Sequence, residues 1–131
     1  MTYLIDTDWS ADYLKGKPDA VSLLRSLRPQ GLAISQINYA EIYEGIYYGK
    51  DRATNEAAFR QFLRVVTVLP LNRAILQRFG VIRGDLRSHG QLFGDFDLLI
   101  GTTALHHNLT VVTRNVKHYN RIHGILLYPT P

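Results

Sequence analysis

Acidic residues stand at three places where a folded core has no use for them. Asp6 follows directly on the apolar run Tyr3-Leu4-Ile5, and Glu41 lies among apolar and tyrosine positions. Asp95 and Asp97 open the stretch Gly94-Asp95-Phe96-Asp97-Leu98-Leu99-Ile100. A carboxylate buried behind an apolar strand needs a partner or a cation, because desolvating it alone is costly. Each acid also has a plain structural use: Asp6 as a helix or turn cap, Glu41 near a helix N-terminus, and Asp95 or Asp97 as a cap. Of those two, one can cap the helix while the other points away from its start, and the residues alone leave open which. With no cysteine in the chain and no histidine pair at ligand spacing, the available donors are hard oxygens. Such a set suits Mg²⁺ or Mn²⁺ rather than zinc. Mg²⁺ keeps several waters and is completed by substrate phosphates, so the reaction to expect is phosphodiester hydrolysis.

The elements that must position these acids are short and alternate in type. Apolar runs at Tyr3–Ile5, Gly31–Ser35, Val65–Leu69, Leu109–Thr113 and Ile125–Leu127 predict strands. Helical spacing predicts helices over Ser10–Lys15, Asp19–Leu27, Gln36–Tyr48, Thr54–Arg64, from about Ile75 to Gly90, and from Gly94-Asp95 to His107, where Asn108 ends the run. A short helical turn is expected near Asn115–Asn120, and Asp6-Thr7-Asp8 is expected to be a polar turn. Strands alternating with amphipathic helices, without the Asn-Gly pairs of tight hairpins, give an α/β fold with a parallel sheet of four to five strands covered on both faces. In such sheets, sites collect outside the carboxyl ends of the strands. All three acidic places fall there.

Composition narrows the class further. The chain has 131 residues, 46% hydrophobic and 20% charged, as expected of one soluble domain spanning residues 1–131. Without cysteine, disulfides, zinc–thiolate sites and iron–sulfur clusters are excluded, which suits a reducing cytoplasm. Neither a signal peptide nor a membrane span is expected from the sequence. Fifteen basic residues against eleven acidic ones leave a formal charge of +4, which favours an anionic partner but equally describes an ordinary basic surface.

Four segments together carry a family likeness over nearly the whole chain. They are Tyr3-Leu4-Ile5-Asp6-Thr7, Ser35-Gln36-Ile37-Asn38-Tyr39-Ala40-Glu41, Asp97 through Leu105, and Val112-Thr113-Arg114-Asn115-Val116-Lys117-His118-Tyr119. In this order and spacing the sequence resembles the PIN-domain VapC toxins. The resemblance implies a metal-dependent endoribonuclease, the toxin of a toxin–antitoxin pair, acting as a homodimer on structured RNA such as tRNA or ribosomal RNA. It implies a VapB-type antitoxin as partner and Mg²⁺ or Mn²⁺ as cofactor. Asp6, Glu41 and Asp97 match the acids that hold metal in this family, Asn115 matches a fourth site, and Thr7 and Thr113 match nearby hydroxyls. The resemblance also chooses Asp97 over Asp95, which becomes the helix cap or a helper behind the ligand. Asp8 stands where the family usually has asparagine. It would either tighten cation binding or repel the phosphate backbone.

Arg114 and Lys117 flank the expected site and are candidates for contact with RNA phosphates, as are Arg83 and Arg87, although a solvated face explains the latter pair equally well. His118 is expected to be structural. The stripe Tyr39, Tyr43, Tyr47 is a candidate surface for dimerisation or an antitoxin. Two other readings compete: a non-catalytic PIN-like module that binds RNA or protein, and a housekeeping RNA-processing nuclease.

Overall fold

The computed structural model describes residues 1–129. Strands and helices alternate along the chain: β1 (Tyr3–Ile5), α1 (Thr7–Leu14), α2 (Pro18–Leu27), a 3₁₀ turn (Arg28–Gln30), β2 (Leu32–Ser35), α3 (Gln36–Tyr47) and α4 (Arg52–Phe62). Then follow β3 (Val66–Leu69), α5 (Arg73–Ser88), α6 (Asp95–His106), β4 (Thr110–Val112), α7 (Val116–Tyr119) and β5 (Leu126–Leu127). The five strands form one parallel sheet in the order β3-β2-β1-β4-β5. This is the α/β architecture expected from the alternation of apolar runs and helical stripes.

Strand pleat divides the core in two. Ile5, Ile34 and Val112 face one layer with Trp9, Leu24, Ile42, Phe59 and Phe62, from α1 to α4. Leu4, Ala33 and Val111 face the other, with Leu86, Leu98, Ile100 and Tyr119. Both faces of the central strands are buried, which explains why they read as continuous apolar runs instead of alternating ones.

Sheet order reverses at β1: the chain builds outward through β2 and β3, then returns to place β4 on the other side. The crevice between the carboxyl ends of β1 and β4 is therefore a topological switch point, where such sheets bind ligands. Asp6 and Thr113, the residues following β1 and β4, lie at that crevice, and Asp6 N–H donates to the Val112 carbonyl at 2.9 Å.

Two local expectations need correcting. Asp6-Thr7-Asp8 is not a polar turn, because Asp6 itself caps α1 and the helix starts at Thr7 instead of Ser10. The 3₁₀ turn at Arg28–Gln30, unforeseen, follows from Pro29, which cannot continue α2 with a backbone N–H. By contrast Asn108 does end α6, in the left-handed conformation (φ 56°) that asparagine tolerates.

Candidate active site

Asp6 is 5% exposed, and the hydrogen bonds that hold it come from neutral donors. Its Oδ1 accepts from Thr7 N–H at 2.9 Å and from Asn38 Nδ2 at 3.3 Å, and its Oδ2 accepts from Thr113 Oγ1 at 2.6 Å. Burial, opposed by the Thr113 bond and reinforced by the Asp8 and Asp97 charges, pushes its pKa up to about 6. Neutral donors steady the carboxylate without neutralising it.

Asn38 ties this acid to the next element. Fully buried, it forms a capping box with Ser35: Ser35 Oγ accepts from Asn38 N–H at 3.0 Å, while Asn38 Oδ1 accepts from Ser35 N–H at 2.9 Å. That box fixes the start of α3 and leaves Asn38 Nδ2 to donate to Asp6 and, at 3.0 Å, to Thr7 Oγ1. Thr7 Oγ1 in turn donates to Glu41 Oε1 at 2.7 Å. Glu41 is half-buried, and burial together with the charges of Asp97, Glu44 and Asp8 raises its pKa against the lowering effect of Thr7. The sequence placed Glu41 one helical turn from Asn38 but gave Asn38 no role. The Ser-x-x-Asn spacing at a strand–helix junction was the available signal.

Asp97 and Asn115 form the other half. Asn115 Nδ2 donates to Asp97 Oδ2 at 2.7 Å, and Asn115 N–H donates to Thr113 Oγ1 at 3.0 Å. His118 Nδ1 lies 3.0 Å from the same Asn115 nitrogen, and its ring stacks on Phe93 with centroids 5.4 Å apart. His118 thus braces the asparagine, in keeping with the structural role expected of it. Behind Asp6 lies a residue the sequence did not single out. The Tyr119 hydroxyl is buried within reach of Asp6, and burial together with the Asp6 and Asp97 charges drives its pKa far upward. Nothing in the sequence separates this tyrosine from an ordinary core aromatic.

Three other expected residues are engaged by partners that the sequence did not foretell. Asp95 caps nothing: the N-cap of α6 is Gly94, which has no side chain to offer. Asp95 is the first residue inside the helix and points outward to Arg83 Nε at 2.8 Å, so Arg83 is also engaged. Asp8 is a brace, its Oδ1 accepting from Trp9 N–H at 2.6 Å and its Oδ2 from Arg114 N–H at 2.9 Å. Arg114 sets its guanidinium against Asp12 at 2.8 Å and over the Trp9 ring at 4.0 Å. Lys117 remains exposed and is in no ion pair among the described residues.

The chemistry of this donor set fits a hard divalent cation. A buried aspartate is pushed toward protonation by its burial and then by neighbouring carboxylates, and no basic side chain among the described residues pairs with it. The side chains as placed do not converge fully: among the described residues, no three acidic or histidine side chains group closely enough to share one ion.

Comparison with known proteins points the same way. The PIN domain family model matches residues 3–123. Ribonuclease VapC2 of Rickettsia felis is 29% identical, over 97% of this chain and 96% of the relative. The tRNA(fMet)-specific endonuclease VapC of Shigella flexneri is 26% identical, over 95% of each. The crystal structure of VapBC2 from Rickettsia felis bound to a promoter DNA fragment superposes with a TM-score of 0.89 at 28% identity, over 98% of both chains. With the family model spanning nearly its whole length, and its acids at the switch point of the sheet, the chain belongs to the PIN domain family.

Proposed function

We propose that the protein is a divalent-metal-dependent endoribonuclease, the toxin half of a toxin–antitoxin pair, which hydrolyses phosphodiester bonds in structured RNA such as tRNA or ribosomal RNA. The observation that carries this reading is the buried Asp6 at the switch point, held by neutral donors and crowded by other carboxylates. Ribonuclease and endonuclease relatives support it, as do similar structures in complex with an antitoxin. A VapB-type antitoxin, a homodimer, a cytoplasmic setting and one catalytic domain over residues 1–131 go with the proposal. No helix among the described residues is long and apolar enough to cross a membrane.

Asp6, Glu41 and Asp97 would hold Mg²⁺ or Mn²⁺, with the Asn115 side chain at a fourth position. Such an ion, when bound, offsets charge on the phosphate oxygens and lowers the pKa of the attacking water. The chain's own residues do the rest. Thr113 and Asn38 fix the two oxygens of Asp6, Asn115 fixes Asp97, and Thr7 fixes Oε1 of Glu41. Oε2 of Glu41, free of hydrogen bonds among the described residues, would be the oxygen open to accept the proton of the attacking water. Asp8 and Arg114 hold the loop after β4 against α1, and Lys117 is left as the nearby cation for RNA phosphate.

Expressing wild type, Asp97→Asn and Asp95→Asn in cells and sequencing RNA ends tests the proposal. Asp97→Asn is expected to restore growth and erase the cleavage profile, whereas Asp95→Asn, which breaks only an exposed pair with Arg83, keeps most activity. Identical RNA ends from wild type and Asp97→Asn would leave a non-catalytic binding module instead.

A further inference from the structure

Far from the carboxylates, the amino ends of β2 and β3 open onto a cleft between α1, α2 and α4. Its cavity of about 630 Å³ is walled by Arg25, Arg28 and Arg64, with Tyr13, Phe62 and Gln61 between them. A smaller recess of about 110 Å³ continues inward to Leu32, again flanked by Arg25 and Arg28. None of these three arginines is in an ion pair or side-chain hydrogen bond among the described residues, whereas Arg60, Arg83 and Arg114 all pair with acids. No carboxylate lines the cavity among the described residues.

Three unpaired guanidiniums around one concavity repel one another and focus positive potential into it. Guanidinium forks match phosphate oxygens bidentately, and an aromatic wall suits a sugar or base beside the phosphate. Sheet strands rise roughly 3.3 Å per residue, so four-residue strands separate the cleft from the acids by about 13 Å. A polynucleotide bridges that distance, and a mononucleotide does not. We infer that this cleft is a second binding site, which holds the phosphate backbone of a structured RNA away from the bond to be cut. The inference rests on the ribonuclease reading for the identity of its ligand. It names a surface on which substrate selection acts before cleavage.

Binding is tested in the Asp97→Asn background, so that affinity is read whether or not wild type cleaves. Bulk tRNA and a short single-stranded oligonucleotide are titrated at several salt concentrations against this protein with and without Arg25→Gln, Arg28→Gln and Arg64→Gln combined. The triple change is expected to weaken tRNA binding about tenfold or more and to flatten its salt dependence by about two to three in slope, with oligonucleotide affinity unchanged. Lysine at all three positions should restore the slope. Where the triple variant fails to fold, each single change lowers the slope by about one, and the sum is read instead. Unchanged tRNA affinity, or an equal loss for both RNAs, overturns the inference. So does a variant that keeps tRNA and loses only a protein partner, because that outcome makes the cleft a surface for an acidic peptide. Absence of cleavage by wild type, with the tRNA effect intact, would count against the nuclease proposal and not against the cleft.

Discussion

The two ends of one small sheet carry opposite charges under opposite conditions. At the carboxyl ends, acids are drawn inward and fastened: Asp6 is almost fully buried, and Thr7, Asn38, Thr113 and Asn115 each spend a hydrogen bond on holding an acid. At the amino ends, three arginines ring an open cleft with no ion pair or side-chain hydrogen bond among the described residues. Water solvates the second group freely and barely reaches the first. Like charges in the cleft therefore cost the fold little, while at the crevice burial and like charges together raise the pKa values of Asp6 and Glu41.

The largest expected effect tests the buried end. Asp6→Asn should abolish cleavage, by about a thousandfold or more. The same change should alter stability in a pH-dependent direction. Asp6 is raised from 3.8 to about 6, so the fold favours its neutral form. Its contribution is intact below pH 4 and lost as pH rises through 6, a loss of about 3 kcal/mol at neutral pH. Metal-free wild type should thus weaken across that window in denaturant melts while Asp6→Asn stays flat, and parallel curves would show that the carboxylate is not strained. Asn38→Ala should come next, lowering cleavage by about 10- to 100-fold and stability by about 1–3 kcal/mol, because one side chain serves both the α3 cap and the site. Calorimetry beside an activity assay separates the two losses. The smallest effect belongs to the open end, where Arg28→Gln should change stability by no more than about 0.5 kcal/mol at any pH. A larger shift would mean that the arginines are structural and that the contrast between the ends is false.

Much of this was legible in the sequence because short parallel strands leave a simple trace. Runs such as Leu32–Ser35 are apolar throughout, buried on both faces, and are bounded by helices whose stripes are clear. Alternation implies a parallel sheet with its site at the carboxyl ends of the strands, whereas strand order, and with it the meeting of Asp6 with Thr113, comes only from the folded chain. What stayed hidden was partnership. Asp8 and Arg114 look like site residues by position, and only the folded chain turns one toward two backbone N–H groups and the other onto Trp9 and Asp12. Asp95 looks like a cap until Gly94 is found at the cap position. The cleft arginines come from three separate segments and share no motif. Local pattern does not encode which side chains meet across more than thirty residues.

Gly101 closes against Ile122 and Tyr119 so tightly that a methyl group built there would lie 2.4 Å from the Ile122 side chain and 3.2 Å from the Tyr119 ring. One turn of α6 upstream sits Asp97, and Tyr119 belongs to the same short helix that Asn115 caps. This apolar contact therefore acts as a spacer gauge between the helix that carries Asp97 and the one that Asn115 caps. Lineages that lengthen the side chain at position 101 would retune the Asp97–Asn115 separation without altering a single polar residue, giving selection a graded control over an enzyme whose overproduction its host has to survive.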